Sequence, residues 1–107
     1  MSQQFTNENF QKEVIDASKE KPVLVDFFAP WCGPCKIQGP VVDEVAKEME
    51  DKAIVGKVNT EEAADVSQKY NVMSIPNILL FRNGEVKENM TGLRSKEDLI
   101  EIINKYL

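Results

Sequence analysis

The sequence predicts an α/β fold: a mixed sheet with helices on both faces. Apolar runs rich in β-forming residues alternate with helix-period patterns along most of the chain, the order expected of parallel strands joined by helices. One run, Val23-Leu24-Val25-Asp26-Phe27-Phe28-Ala29, is apolar at nearly every position, which fits a strand covered on both faces. Later, Asn83-Gly84 separates two strand-like segments, and both residues tolerate the positive φ that a tight hairpin needs. Alternation first and a hairpin later make the sheet mixed.

After an opening strand or coil, Phe10, Val14 and Ile15 fit one face of a first helix, with Thr6 or Asn7 as its cap and Lys21-Pro22 as its end. Beyond the Val23–Ala29 strand comes a long helical pattern. Ile37, Val41, Val45 and Met49 recur every four residues and suggest one buried stripe. Pro40 inside this pattern lacks an N–H and is expected to kink the helix or split it. Ala53 to Val58 reads as the next strand, and Thr60 as the cap of a short helix carrying Ala63, Val66 and Tyr70. Ile78 to Phe81 is a strand; Glu85 to Thr91 is its weakly patterned return, near an edge, and Gly92 ends it. Ser95-Lys96-Glu97-Asp98 has the form of a capping box and opens a last helix with Leu99, Ile102, Ile103 and Tyr106 on its apolar face. The chain has no internal repeat, low-complexity segment or linker.

The 107 residues suit one domain, 1–107, and are too few for two separate cores. Apolar residues make up 42% and charged residues 29%, an ordinary globular composition. Thirteen Lys and Arg against eighteen Asp and Glu give a formal charge of −5, which argues against a nucleic-acid partner. Histidine is absent, so a Ser-His-Asp triad, a Cys-His pair and a His-ligated metal are all excluded. The N-terminus has neither a basic start nor an apolar run, so no secretory signal is expected. The longest apolar stretches, Val23 to Trp31 and Ile78 to Phe81, are too short to span a bilayer, and no membrane association is expected.

The chemistry lies in Trp31-Cys32-Gly33-Pro34-Cys35-Lys36, which follows a buried strand and opens a helix. A helix N-terminus offers unpaired N–H groups and the positive end of the macrodipole, so a thiolate on Cys32 is stabilised there. Cys35 lies one turn on, on the same face, within reach for a disulfide. Gly33 is expected to let the chain turn without a Cβ clash, and Pro34 suits a first helical turn. One thiolate can then attack a foreign disulfide while the second waits to displace the product. Three plainer readings stand beside this one. Half of a zinc site needs two further ligands from elsewhere. A structural disulfide closing a loop of about four residues contributes only roughly 2 kcal/mol. A pair of ordinary buried thiols has no use for a Gly-Pro insert.

These residues give the chain a family resemblance. From about Phe5 to Leu107 it resembles the thioredoxins, of the bacterial type, through Val25-Asp26-Phe27, Trp31-Cys32-Gly33-Pro34-Cys35-Lys36, Lys57, Ser74-Ile75-Pro76, Phe81, Asn83-Gly84, Gly92 and Ser95-Lys96. The Trp-Cys-Gly-Pro-Cys-Lys string is the specific part. The resemblance implies a thioredoxin fold with a central mixed five-stranded sheet flanked by four helices. It implies that Cys32 is the attacking nucleophile and Cys35 the resolving thiol. Asp26 would be a buried carboxylate serving through water as a base for Cys35, with Lys57 nearby. The residues themselves agree in part: an aspartate in so apolar a strand is costly to bury ionised, so its pKa should rise. Asp26 at an edge facing solvent, and Lys57 as a snorkelling strand lysine, are the alternatives. Pro76 resembles the family's cis-proline. Ile75, Pro76, Gly92 and Trp31 would then line the place where a client lies as a transient extra strand. The alternative for Trp31 is a core anchor.

The implied activity is thiol–disulfide exchange that reduces protein disulfides in the cytoplasm. The dithiol is itself the redox group, so no bound cofactor and no metal are expected. The implied partners are disulfide-containing client proteins and a flavin-containing thioredoxin reductase, with the chain a monomer. A rigid subunit with incidental thiols, and a metal or iron–sulfur homodimer with two cysteines from each chain, are rivals of other classes. The chain also departs from the family pattern. Phe28 stands where tryptophan is frequent, Asn77 where threonine is common and Glu61 where aspartate is usual. Met90-Thr91-Gly92-Leu93-Arg94 is bulkier and more polar than usual, and it flanks the implied client groove.

Overall fold

The computed structural model describes residues 2–107. The chain runs through β1 (Gln3–Phe5), a helical segment of two tight pieces (Gln11–Asp16 and Ala17–Lys19), β2 (Val23–Phe28), α1 (Gly33–Glu48), β3 (Ile54–Asn59), α2 (Ala64–Lys69), β4 (Asn77–Arg82), β5 (Glu85–Thr91) and α3 (Lys96–Lys105). Among the described residues these make five strands and four helical segments, the architecture of the thioredoxin fold. The strand order is β1-β3-β2-β4-β5. β1 and β2 both run parallel to β3, whereas β4 is antiparallel to β2 and β5 to β4.

β2 is the central strand and is buried at every position but the last, which is half-buried. Its alternation divides two cores. Leu24 packs with Val42, Val45, Ala46, Met49, Ile78, Leu80, Leu99 and Ile103 under α1 and α3. Val23, Val25 and Phe27 pack with Phe5, Phe10, Val14, Val58, Val66 and Phe81 on the other face. There Phe10, Tyr70 and Phe81 meet at ring-centroid distances of 5.3–5.6 Å. Asp26 shares the parity of Leu24 and so faces α1.

The hairpin and the last helix form as their sequences dictate. Asn83 and Gly84 both take positive φ (57° and 79°), the pair of left-handed residues that a two-residue turn requires. The Ser95 hydroxyl accepts from the Asp98 N–H at 3.1 Å and caps α3. Just ahead of the first helical segment Thr6 and Asn9 bond reciprocally: the Asn9 N–H donates to the Thr6 hydroxyl at 3.1 Å and the Thr6 N–H to the Asn9 side-chain oxygen at 2.8 Å.

Three expectations are corrected. The buried face of α1 is Cys35, Gln38, Val42, Val45 and Ala46, continued by Met49, while Ile37 is 63% exposed and Val41 half-buried. A strict four-residue repeat drifts by about 40° a step on a helix of 3.6 residues per turn, so Ile37 lies far around the helix from Met49. Pro40 does not split α1, which is continuous for 16 residues. Pro40 and Lys36, whose carbonyl it leaves without a donor, are both exposed residues on the outer side of the helix. Thr60 does not cap α2, which begins only at Ala64 behind Ala63; the Thr60 N–H instead extends the sheet by donating to the Phe28 carbonyl at 2.8 Å. The cap comes from Asn7, whose side-chain oxygen accepts from the Val66 N–H at 3.1 Å across 59 positions of sequence.

That long-range cap can be measured. Asn7→Ala should destabilise the fold by about 1 kcal/mol. The urea midpoint should fall with the slope of the transition unchanged, and an unaltered midpoint would show that the contact contributes nothing.

Candidate active site

β2 ends the sheet at Phe28 and delivers the chain to the start of α1. The Cys32 N–H donates to the Ala29 carbonyl at 3.1 Å, which closes the intervening turn. Cys32 itself is extended (φ −84°, ψ 115°) and is the N-cap of α1, with Pro34 in the first turn. Its sulfur accepts from the Cys35 N–H at 3.2 Å, where a serine or aspartate oxygen stands in an ordinary cap. The two cysteines are joined as a disulfide, with their Cα atoms 5.3 Å apart. In the reduced chain the same N–H and the helix end are placed to stabilise a thiolate on Cys32. A Cβ added at Gly33 would meet nothing within 4 Å, so the expected steric need for glycine is absent at this exposed position.

The rim of the pair is built by three loops. The Ile75–Pro76 bond is cis, and the Ile75 carbonyl oxygen lies 3.8 Å from the Cys32 sulfur. The Gly92 N–H donates to the Pro76 carbonyl at 2.9 Å, and Gly92 itself takes φ +86°. Asn77, the departure beside the proline, is buried and donates through Nδ2 to the Met90 carbonyl (2.9 Å) and the Asn89 side chain (2.8 Å). Trp31 is no core anchor: it is 69% exposed, and its indole N–H donates to the Glu61 carboxylate. The longer reach of Glu61 is thereby used, with its own N–H held by the Asn59 side chain at 2.9 Å. Cys32 keeps only 5% of its surface and Cys35 6%. Both pack with Ala29 against Phe28 and Ile75.

Beneath the sulfurs lies a cleft of about 300 Å³ lined by Asp26, Cys35, Lys36, Gly39, Asp43 and Lys57, among others. Asp26 is 1% exposed, and among the described residues neither of its oxygens has a hydrogen-bond partner. Burial pushes its pKa from 3.8 up to about 7; Lys57 pulls it down and Asp43 pushes it up, both by less. Lys57 sits directly across from Asp26 in the β2–β3 register, but its ammonium pairs with Asp43 at 3.2 Å. Asp43 also accepts from the Ser2 hydroxyl at 2.7 Å. Desolvation raises the Asp43 pKa, but Ser2 and Lys57 together outweigh it and leave this carboxyl below its usual range. Sequence reasoning passed over Asp43 and Gln38 because each looks like an ordinary helix residue. Their spacing from Cys35, eight and three residues, was the available signal.

The structure therefore brings Cys32, Cys35, Asp26, Lys57, Trp31, Ile75, Pro76 and Gly92 into one region. A sequence model of the family described as thioredoxin matches residues 1–105. The chain belongs to the thioredoxin family. The thioredoxin of Rickettsia felis is 45% identical over 107 residues, all of both chains. Thioredoxin 1 of a Nostoc species is 43% identical over 104 residues, 97% of this chain and 95% of that protein. The chloroplastic M-type thioredoxin of Spinacia oleracea is 50% identical over 104 residues, 97% of this chain but only 57% of that protein. With its Cys32–Cys35 disulfide, this thioredoxin-family chain is a thiol–disulfide oxidoreductase.

Asp26 makes the stability of this thioredoxin-family fold depend on pH. Its carboxyl ionises near 3.8 when unfolded and near 7 when folded. Between those values the folded state keeps a proton that the unfolded state has lost. The contribution is therefore complete below the unfolded pKa and is lost as pH rises through about 7. For the disulfide form, wild-type stability should fall by up to about 4 kcal/mol relative to Asp26→Asn between pH 4 and pH 8. Parallel urea midpoints for the two proteins across that range would show that the carboxylate is not desolvated.

Proposed function

We propose that the chain, as one domain over 1–107, reduces protein disulfides in the cytoplasm as a monomer. Cys32 is the nucleophile and Cys35 the resolving thiol. The observation that carries this reading is the Cys32 sulfur at the head of α1, accepting the Cys35 N–H at 3.2 Å with Cys35 in bonding reach. A thiolate there attacks one sulfur of a client disulfide. The client S–S bond breaks, a mixed disulfide forms on Cys32, and a client thiolate leaves. Cys35 then gives up its proton and attacks the Cys32 sulfur. The second client thiolate departs, the client has gained two electrons, and Cys32–Cys35 is again a disulfide. A thioredoxin reductase returns those two electrons. The location and the reductase are part of the proposal; among the described residues, no helix is long and apolar enough to cross a membrane.

The base for Cys35 is Asp26. Its carboxyl shares the cleft with Cys35 and takes a proton near neutral pH, the range in which a base both accepts and returns one readily. Lys57 holds a positive charge beside it while paired with Asp43. The client lies as an extended segment against the Ile75 backbone, with Pro76 and Gly92 below and beside it and Trp31 at the open rim. Pro34 sets the first turn of α1 between the sulfurs.

Removing the resolving thiol tests the division of roles. Cys35→Ser should accumulate client proteins as stable mixed disulfides on Cys32, visible as adducts on a non-reducing gel. A variant that traps nothing would show the two cysteines misassigned. Asp26→Asn tests the base. At pH 7 the release step should slow by about tenfold or more, with the first attack much less affected. Equal slowing of both steps in rapid-mixing experiments would remove Asp26 from that role.

A further inference from the structure

One buried polar side chain near the sulfurs has no part in the exchange chemistry. Gln38 stands three residues beyond Cys35 on the inner face of α1 and is 1% exposed. Its amide bonds through both the oxygen and the nitrogen to one distant residue. The Arg94 N–H donates to the Gln38 side-chain oxygen at 2.8 Å, and the Gln38 Nε2 donates to the Arg94 carbonyl at 3.0 Å. The planar amide thus pairs with both backbone groups of Arg94, as a neighbouring strand would.

The segment so gripped is the bulky turn after β5. Thr91, Gly92 and Leu93 are exposed, so burial does little to hold it. The Arg94 guanidinium folds back onto the carbonyls of Thr91 (3.2 Å) and Leu93 (3.3 Å), which stiffens the turn without anchoring it. Two attachments tie it to the active site. Gly92 donates to the Pro76 carbonyl, one residue from the Ile75 oxygen that lies 3.8 Å from the Cys32 sulfur. Gln38 ties it to the helix whose N-cap is Cys32. An apolar residue at position 38 would bury as well and provide neither bond.

We propose that Gln38 is a positioning residue for client binding: its two hydrogen bonds to Arg94 lock the Gly92–Leu93 wall of the client groove to the helix that carries Cys32. The inference rests on the proposed reading of Ile75, Pro76 and Gly92 as the place where a client segment lies. Disulfides large enough to span the groove depend on that wall. A small disulfide that reaches only the Cys32 sulfur does not.

The test compares the two kinds of disulfide. Gln38→Met keeps the length and unbranched shape and loses both bonds. Each protein is reduced with dithiothreitol, freed of excess reagent and reacted with insulin, a protein disulfide, or with the small aromatic disulfide DTNB. In the variant, the second-order rate with insulin should fall about tenfold, as losing two hydrogen bonds of ordinary strength implies, with the DTNB rate within about twofold of wild type. The Arg94 amide should also exchange its proton faster. Two unchanged rates, or two rates falling together, would overturn the assignment, because a purely structural role lowers both alike. Should Gln38→Met not fold, Gln38→Leu, which is shorter and also loses both bonds without adding a charge, is put through the same comparison with the same criteria. Wild-type protein inert toward both substrates would defeat the oxidoreductase reading instead.

Discussion

Val23–Phe28 is hydrogen-bonded along both edges, parallel to β3 and antiparallel to β4, and is covered by apolar side chains on both faces. A strand held on four sides has almost no freedom of position. The chain that leaves it must cross from the sheet to the layer of α1 within a few residues, and the Ala29–Cys32 turn does so. Cys32 arrives at the helix end because β2 cannot move. Asp26 is desolvated for the same reason: its strand has no route to the surface. The sulfur chemistry and the perturbed carboxyl are thus two results of one packing constraint.

The buried polar groups around this strand show contrasting solutions. Gln38 and Asn77 are each satisfied by backbone groups brought from far along the chain. Asp26 alone among the buried polar side chains of the described residues is left without a partner. An unpaired buried carboxyl costs stability, and such a cost persists where it serves the reaction. The nearest cation does not relieve it, because Asp43 and Ser2 form a second polar cluster that draws Lys57 aside. The charge of Lys57 reaches Asp26 through space while its hydrogen bond is spent elsewhere.

What was legible in the sequence was local. The Asn83-Gly84 turn, the Ser95 cap and the position of Cys32 ahead of a helix each depend on neighbours within a few residues, and all three have the expected form. The family resemblance supplied the strand and helix count and the importance of the cis Ile75–Pro76 bond, which a lone Ile-Pro pair does not reveal. What was illegible depended on contacts made across the fold. Nothing near Val66 hints that Asn7 caps its helix, and nothing near Arg94 hints at Gln38. The inner face of α1 was misread because a repeat of four resembles a helical stripe over two turns and drifts away over four. Ile37 and Trp31 are large, apolar and outside, where sequence patterning alone places core residues. The site residues drawn from the resemblance converge in space, but the polar supports behind them carry no motif.

The small opening over Cys32 has a consequence for kinetics. A cysteine with only 5% of its surface exposed admits a thin, backbone-led loop more readily than a cystine set into a rigid surface. A disulfide buried in a well-packed protein meets such a site only when that protein opens locally, so the opening limits the exchange. Selectivity then becomes a matter of timing: a half-folded or heat-softened protein is served ahead of a well-packed one carrying the same bond, with no recognition sequence required.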